Sequence, residues 1–408
     1  MMRRGQERWM VRNVHVVAPN EVVHGGYVVI RDGTIEHVGT VPGRAEALLP
    51  SVDGQGCWLL PGFIDLHNDA IEKEIEPRPN AFIPVDIAFL SLEHRLVCHG
   101  VTSIYHSLSF ASNEFGIRSL DRVEAIVREL QRLGPSGRIR HLIHGRYEIT
   151  DESACGVLAS LIDEGCIHLL SLMDHTPGQG QFRKLEDYVH FISATYQRDH
   201  EEIVAFVGEK QSIREAASLK YIDRLTRSAK TVGIPIASHD DDTARKVHVM
   251  HERGVTLSEF PVTMEAARAA TACGMAVMMG APNVVRGGST SNHLKAADAI
   301  LDGVAQILCS DYMPSSMLHA VFTLYLKQGM CLYEAVNLAS LHPARALGLE
   351  AEVGSITPGK IADFSLVRLH QETPMVERAF VNGNQVFYAG DRVHSSVADS
   401  VRKGSVLM

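Results

Sequence analysis

No stretch of the chain approaches the about eighteen consecutive apolar residues that a membrane-spanning helix needs, so no membrane partner is expected. Cysteine is sparse. The seven cysteines, scattered from Cys57 to Cys331, are odd in number and include no CxxC pair, which excludes a disulfide framework and a cysteine zinc site and favours a reducing compartment. Positive charge is also short: 39 Lys and Arg stand against 48 Asp and Glu, a formal net charge of -9. A surface built to hold nucleic acid is therefore not expected, and any anion site must be a local pocket. The opening segment MMRRGQERWMVRNVHVV starts basic, but Arg12, Asn13 and His15 interrupt what would have to be an apolar signal core. A cytoplasmic location is the expectation. Low-complexity segments and repeats of fixed period are absent from the sequence.

What the chain does have is length and alternation. Its 408 residues suit one barrel of roughly 250 residues with a smaller module beside it. Residues from Val11 to about Val41 read as short strands, with Asp32-Gly33 a hairpin signal between VVI and TIEHVG. Ala362–Val367 and Val376–Gly383 show the same short-strand texture, so residues 1–60 and 351–408 are expected to build one small β-sandwich domain together. Between them, over 61–350, apolar runs alternate with helical periodicity, the signature of βα units and a parallel sheet. Strand candidates fall at 61–67, 100–106, 140–148, 167–174, 234–239, 255–260, 275–280 and 306–311. Eight parallel strands close a barrel, so the fold class expected is a (β/α)8 TIM barrel. The helical spacing is clearest at 120–133, where Gly134-Pro135 ends the run. The charged stretch 183–230 is expected to form two or three helices inserted between the fourth and fifth strands.

Metal-type residues end nearly every one of these strands. His67 and Asp69 follow the first, Glu148 the third, Asp174-His175 the fourth, His239-Asp240 the fifth, Glu259 the sixth and Asp311 the eighth. In a barrel the C-terminal strand ends form the active site. Helix N-caps explain one or two such polar residues, but not six. Imidazole nitrogen and carboxylate oxygen suit a divalent ion such as zinc or manganese. The expected ligands of one or two ions are His67, Asp69, Glu148, His175, His239 and Asp311, with Glu148 the bridging carboxylate if there are two, and Glu259 undecided. Such an ion lowers the pKa of a coordinated water toward about 7. Asp311 is the candidate general base and proton shuttle, with His239 beside it as a second catalytic residue.

A second group suits an anion. Gly280–Ser289 reads as a loop with glycines for close backbone approach, Asn283 within it, and Arg286 to fork onto phosphate. Lys73, Arg78, Ser315 and Ser316 could join it from neighbouring loops, although a tight turn with a solvated arginine explains the loop equally well. Asp240-Asp241-Asp242 reads as a helix N-cap with solvated first-turn charges. His190, His248 and His251 read as structural or surface residues, and Met275, Met278 and Met279 as core.

PGFIDLH, the strand-end metal residues and the closing VGSITPGKIADF resemble the amidohydrolase superfamily over nearly the whole chain. More narrowly, HNDAIEKEIEPRP, SLMDHTPGQGQF, ASHDDDT, EFPVTMEAA, MGAPNVVRGG and SDYMPSS, spread from residue 67 to 316, resemble the diphosphatases of the carbon–phosphorus lyase pathway. That resemblance implies a phosphorylated sugar phosphonate as substrate: a ribose 1-methylphosphonate 5-triphosphate hydrolysed to the 5-phosphate and diphosphate. It also implies that the strand-end residues named above hold the metal, and superfamily membership carries the expectation of a homo-oligomer.

Two positions depart from the pattern. The second strand ends in Ile104-Tyr105-His106-Ser107 where the family has an aspartate and a small residue, so His106 is expected to alter the metal site or the substrate pocket. HND replaces HTD, with the middle side chain expected to point away. Two other functions stay open on sequence: deacylation or deamination at a carbonyl or ring carbon with the same metal chemistry, and a non-catalytic role in a phosphonate-processing assembly.

Overall fold

The computed structural model describes residues 8–111, 116–174, 217–289 and 293–390. Strands β1 (Arg8–Val17), β2 (Val22–Arg31), β3 (Thr34–Gly39) and β4 (Ser51–Pro61) open the chain. Eight strands follow: β5 (Phe63–Asn68), β6 (Val101–Phe110), β7 (Arg140–Glu148), β8 (Leu169–Met173), β9 (Ile236–His239), β10 (Leu257–Glu259), β11 (Ala276–Gly280) and β12 (Ile307–Cys309). β13 (Phe364–His370), β14 (Thr373–Val381) and β15 (Asn384–Tyr388) lie near the other end.

The two chain ends share a sheet ordered β15-β14-β13-β4-β1-β2-β3. Its joint is the antiparallel pair β13–β4, with Phe364 opposite Pro61 and Leu366 opposite Leu59. Val11, Val28, Ile30, Leu59, Phe364 and Phe380 form its core, and Trp9 lies against the stacked rings of Phe364 and Phe380. At the β2–β3 turn Asp32 and Gly33 both take positive φ, 50° and 80°, as a two-residue hairpin with a right-handed twist requires.

β5 to β12 form the parallel sheet, each strand beside its successor in sequence. All eight strand candidates are present, and β7 matches its expected bounds at both ends. The helix Leu120–Leu133 buries Val123, Ile126, Val127 and Leu130, the stripe its spacing promised. The expected insertion is described only from the helix Ala217–Val232 onward; the rest of it, including His190, lies outside the described residues.

The seam between β5 and β12 closes the barrel. Ile64 N–H donates to Ala339 O and Leu308 N–H to Leu338 O, 2.9 and 2.8 Å, so a turn from outside the sheet fills one part of the seam. At the C-terminal end the closure is direct: Asn68 and Asp311 form a parallel bridge, and Asp311 N–H donates to His67 O at 2.8 Å. Asp65 seals it from within, accepting from Ser310 N–H (2.9 Å), Ser310 Oγ (2.5 Å) and Asn68 Nδ2 (3.2 Å). Burial raises the Asp65 carboxyl to about 6 against these hydrogen bonds.

The closing ADF motif ties the barrel to the sheet of the chain ends. Asp363, nearly fully buried, pairs with Arg140 at the start of β7 and accepts from Asn382 N–H at 2.9 Å. Arg140 lies at the barrel face opposite the strand C-termini, the face that serves stability.

Candidate active site

Three strands end in the same unusual way. Asp240, Phe260 and Asp311, which follow β9, β10 and the Cys309-Ser310 end of β12, have φ of 53°, 52° and 56°. Each still donates its N–H to a neighbouring strand: to Glu259 O, Met278 O and His67 O. The chain thus leaves the sheet sharply just after His239, Glu259 and Ser310. For phenylalanine the left-handed conformation costs about 1 kcal/mol or more. The cost falls where side chains must be aimed at the barrel mouth.

The tightest cluster of metal-type groups among the described residues is His67, His144 and Glu259, all buried, with one ligand atom from each within 4.8 Å of the others. Glu259 Oε1 is 3.4 Å from His67 Nδ1 and 3.6 Å from His144 Nε2, and Glu259 Oε2 accepts from Ser171 Oγ at 2.5 Å. His144 Nδ1 is held by Ser107 Oγ and Leu66 O. The His67 ring packs edge-on to His144 and Phe260, with the His239 ring centroid 5.7 Å away.

The electrostatics are those of groups waiting for a counter-charge. Burial, with Arg146 and His239 nearby, holds His67 well below the usual imidazole range. Burial pushes His144 down to about 3, so both rings are neutral and able to coordinate. Burial and the neighbouring Asp69 push Asp311 up to about 7, and burial raises Asp69 as well. His239 goes the other way: burial opposes its charge, but Asp240 Oδ2 at 3.2 Å from Nδ1 raises it. Buried neutral imidazoles, a buried carboxylate and His144 Nε2, which makes no hydrogen bond among the described residues, fit a divalent ion by donor chemistry.

Of the sequence candidates, His67, Glu259, His239, Asp69 and Asp311 share this region. Glu148 is buried at the end of β7, its Oε1 accepting from Thr150 Oγ1 at 3.4 Å. His175 lies outside the described residues. Asp69 is not in extended chain: it caps the short helix Ala70–Ile75 with φ -101° and ψ 9°. The side chain of Asn68 does point away, and it has work of its own at the seam and on Ala70 N–H.

The anion group is arranged differently from expectation. Gly280–Ser289 is not a loop throughout: Ala281–Arg286 is a helical turn, begun with Pro282 in its first turn and stopped by Gly287 at φ 77°. Asn283 spends its carboxamide on Leu294 O and Ala296 N–H. Arg286, Lys73 and Arg78 are exposed, Ser315 is half-buried, and Ser316 is buried with its hydroxyl on Met313 O.

His106 corrects an expectation. It does not reach the metal site or the pocket, because Tyr105 and Ser107 take the inner face of β6 and strand alternation turns His106 outward. There its Nε2 meets His141 Nδ1 at 3.0 Å, and His141 Nε2 meets buried Glu93 at 3.1 Å. The triple aspartate is a second correction. Thr243, not an aspartate, caps the next helix, and Asp241 is fully buried, accepting from Ser238 Oγ and Ser258 Oγ at 2.6 Å each. Lys246 completes the brace by donating to His239 O at 2.7 Å.

His144 and Arg146 were missed. The signal was present: His144, Arg146 and Glu148 alternate on one strand whose last member was already a candidate, and alternation puts all three inside the barrel.

A parallel eight-stranded barrel with histidines and carboxylates at its C-terminal mouth, joined to a sheet made by both chain ends, defines a class. The chain belongs to the amidohydrolase family, whose model matches residues 192–393. It is 32% identical to alpha-D-ribose 1-methylphosphonate 5-triphosphate diphosphatase of Escherichia coli (strain K12), over 93% of this chain and 100% of that protein. It is 27% identical to imidazolonepropionase of Pseudomonas paraeruginosa (strain DSM 24068 / PA7), over 83% of this chain and 86% of the relative. Among solved structures, dihydropyrimidinase from Brevibacillus agri NCHU1002 superposes with a TM-score of 0.64 at 14% identity, covering 93% of this chain and 95% of the other. N-acetylglucosamine-6-phosphate deacetylase from Pasteurella multocida gives 0.61 at 14%, covering 93% and 99%. At such identity the two structures bear on the fold alone.

Proposed function

We propose that the protein is a metal-dependent diphosphatase that hydrolyses alpha-D-ribose 1-methylphosphonate 5-triphosphate to the 5-phosphate and diphosphate in phosphonate catabolism. The observation that carries this reading is the 32% identity spanning the whole of the Escherichia coli diphosphatase. The barrel mouth supports it with donors suited to a divalent ion, a carboxylate poised to move a proton, and buried positive charge.

His67, His144 and Glu259 would hold the ion, with Asp69, Glu148, His175, His239 and Asp311 the further donors around one or two ions, zinc or manganese. When bound, the ion polarises a phosphoryl oxygen and acidifies water. Water adds at phosphorus, the anhydride bond between the first and second phosphates breaks, and diphosphate leaves. Asp311, partly exposed at the mouth, takes the proton of the attacking water, and Asp240, beside His239 Nδ1, orients that ring so that its other nitrogen can serve the ion. Lys73, Arg78, Arg286 and Ser315 lie on the short helices and turns that follow barrel strands, within the set that could meet the outer phosphates.

A substrate panel tests the reading. The expected order has the ribose triphosphate turned over with the highest kcat/KM, above N-acyl amides and cyclic amides. A faster amide activity, insensitive to Arg286→Ala, would move the protein to a carbonyl-directed branch of the family.

A further inference from the structure

Arg146 stands on the inner side of β7, between His144 and Glu148. It is 7% exposed, yet among the described residues its Nε and Nη2 have no hydrogen-bond partner. The nearest carboxylate oxygen among the described residues is Glu72 Oε1 at 3.7 Å from Nη2, beyond the about 2.7–2.9 Å of a charge-assisted hydrogen bond. Glu72 is in any case engaged elsewhere, by Arg118 Nε on Oε2 at 2.8 Å and Ser109 N–H toward Oε1 at 3.4 Å. A guanidinium left this way is costly to bury. A cation held by His67, His144 and Glu259 would bring a second positive charge near it, and an anion lying between the two would meet both.

We propose that Arg146 is the inner anion-binding residue of this site, its fork holding phosphoryl oxygens of the substrate from the side of the barrel opposite the exposed Arg286. The inference rests on the reading of the site as one for a phosphorylated substrate. Arginine suits the task because its planar donors match phosphoryl geometry two at a time, which lysine cannot do. The exposed Arg286, Lys73 and Arg78 supply charge in water, where it counts for less.

The test is calorimetric binding of inorganic diphosphate to the full-length, metal-loaded protein, with metal content measured before and after. Wild type is expected to bind, Arg146→Gln to bind on the order of 10- to 100-fold more weakly with metal content unchanged, and Arg146→Lys to fall between them. If Arg146→Gln does not fold, Arg146→Lys carries the comparison, since it keeps the charge and loses the fork. Wild-type binding that neither variant weakens overturns the assignment of Arg146 alone. Absence of diphosphate binding by wild type overturns the phosphoryl reading and this inference with it.

Discussion

Glu259 Oε1 lies 3.4 Å from His67 Nδ1, with both residues buried, and the same oxygen is 3.6 Å from His144 Nε2. One carboxylate therefore governs two imidazoles, either as a ligand beside them or by orienting His67 so that its other nitrogen faces the ion. Both arrangements need the charge. Glu259→Gln should keep the bond from Ser171 and the packing while lowering metal affinity about 10- to 100-fold, read by competition against a chromogenic chelator. Unchanged affinity would remove Glu259 from the metal site.

Metal loading should release protons. Asp311 is pushed up to about 7 and Asp69 is raised, burial leading in both, so near pH 6.5 the metal-free site carries a carboxyl proton that a cation displaces. Calorimetric titration with zinc or manganese in buffers of different ionisation enthalpy should show this release, reduced in Asp311→Asn. The same variant should lose about 10²- to 10⁴-fold in kcat if Asp311 moves the proton of the attacking water.

Acid should weaken the fold through His106. Burial, with His141 beside it, holds His106 well below its usual 6.5, so the native state keeps it neutral while the unfolded chain binds a proton below that pH. The sign follows: stability is fully present above about pH 6.5 and declines as pH falls below it. Glu93 adds to the loss at lower pH, because hydrogen bonds from His141 and Arg138 N–H outweigh burial and hold it below its usual range. His106→Phe should flatten the fall in urea midpoint between pH 7.5 and 5.5, and an unaltered slope would contradict the account.

Breaking the clamp between barrel and sheet should cost stability and leave the chemistry intact. Asp363→Ala takes one partner from the partly exposed Arg140, which keeps Asn382 Oδ1, and leaves Asn382 N–H without its acceptor, a loss of about 1–3 kcal/mol. The urea midpoint should drop, with metal content and KM unchanged.

Much of this architecture was legible in the sequence because each feature has a short-range cause. Strand runs, the Asp32-Gly33 turn and the stripe of Leu120–Leu133 are local patterns, and the barrel followed from their number. His67, His239 and Asp311 were legible as strand-end groups. What stayed hidden depends on which way a side chain faces across the sheet. His106 is polar and sits near a strand end, but only the inward placement of Tyr105 and Ser107 shows that it faces out. Asp241 looks like a solvated helix-start charge until Ser238 and Ser258 meet it from two strands. Gly280–Ser289 has the composition of a loop, and only the backbone shows Pro282 starting a helical turn there.

The most direct test of the central claim is phosphorus NMR of alpha-D-ribose 1-methylphosphonate 5-triphosphate incubated with the metal-reconstituted protein and with His239→Asn. The account predicts that wild type converts the triphosphate signals to a 5-phosphate and diphosphate in equal amounts, and that the variant leaves them unchanged. Stepwise release of inorganic phosphate, or an unchanged spectrum with wild type of full metal content, would contradict it.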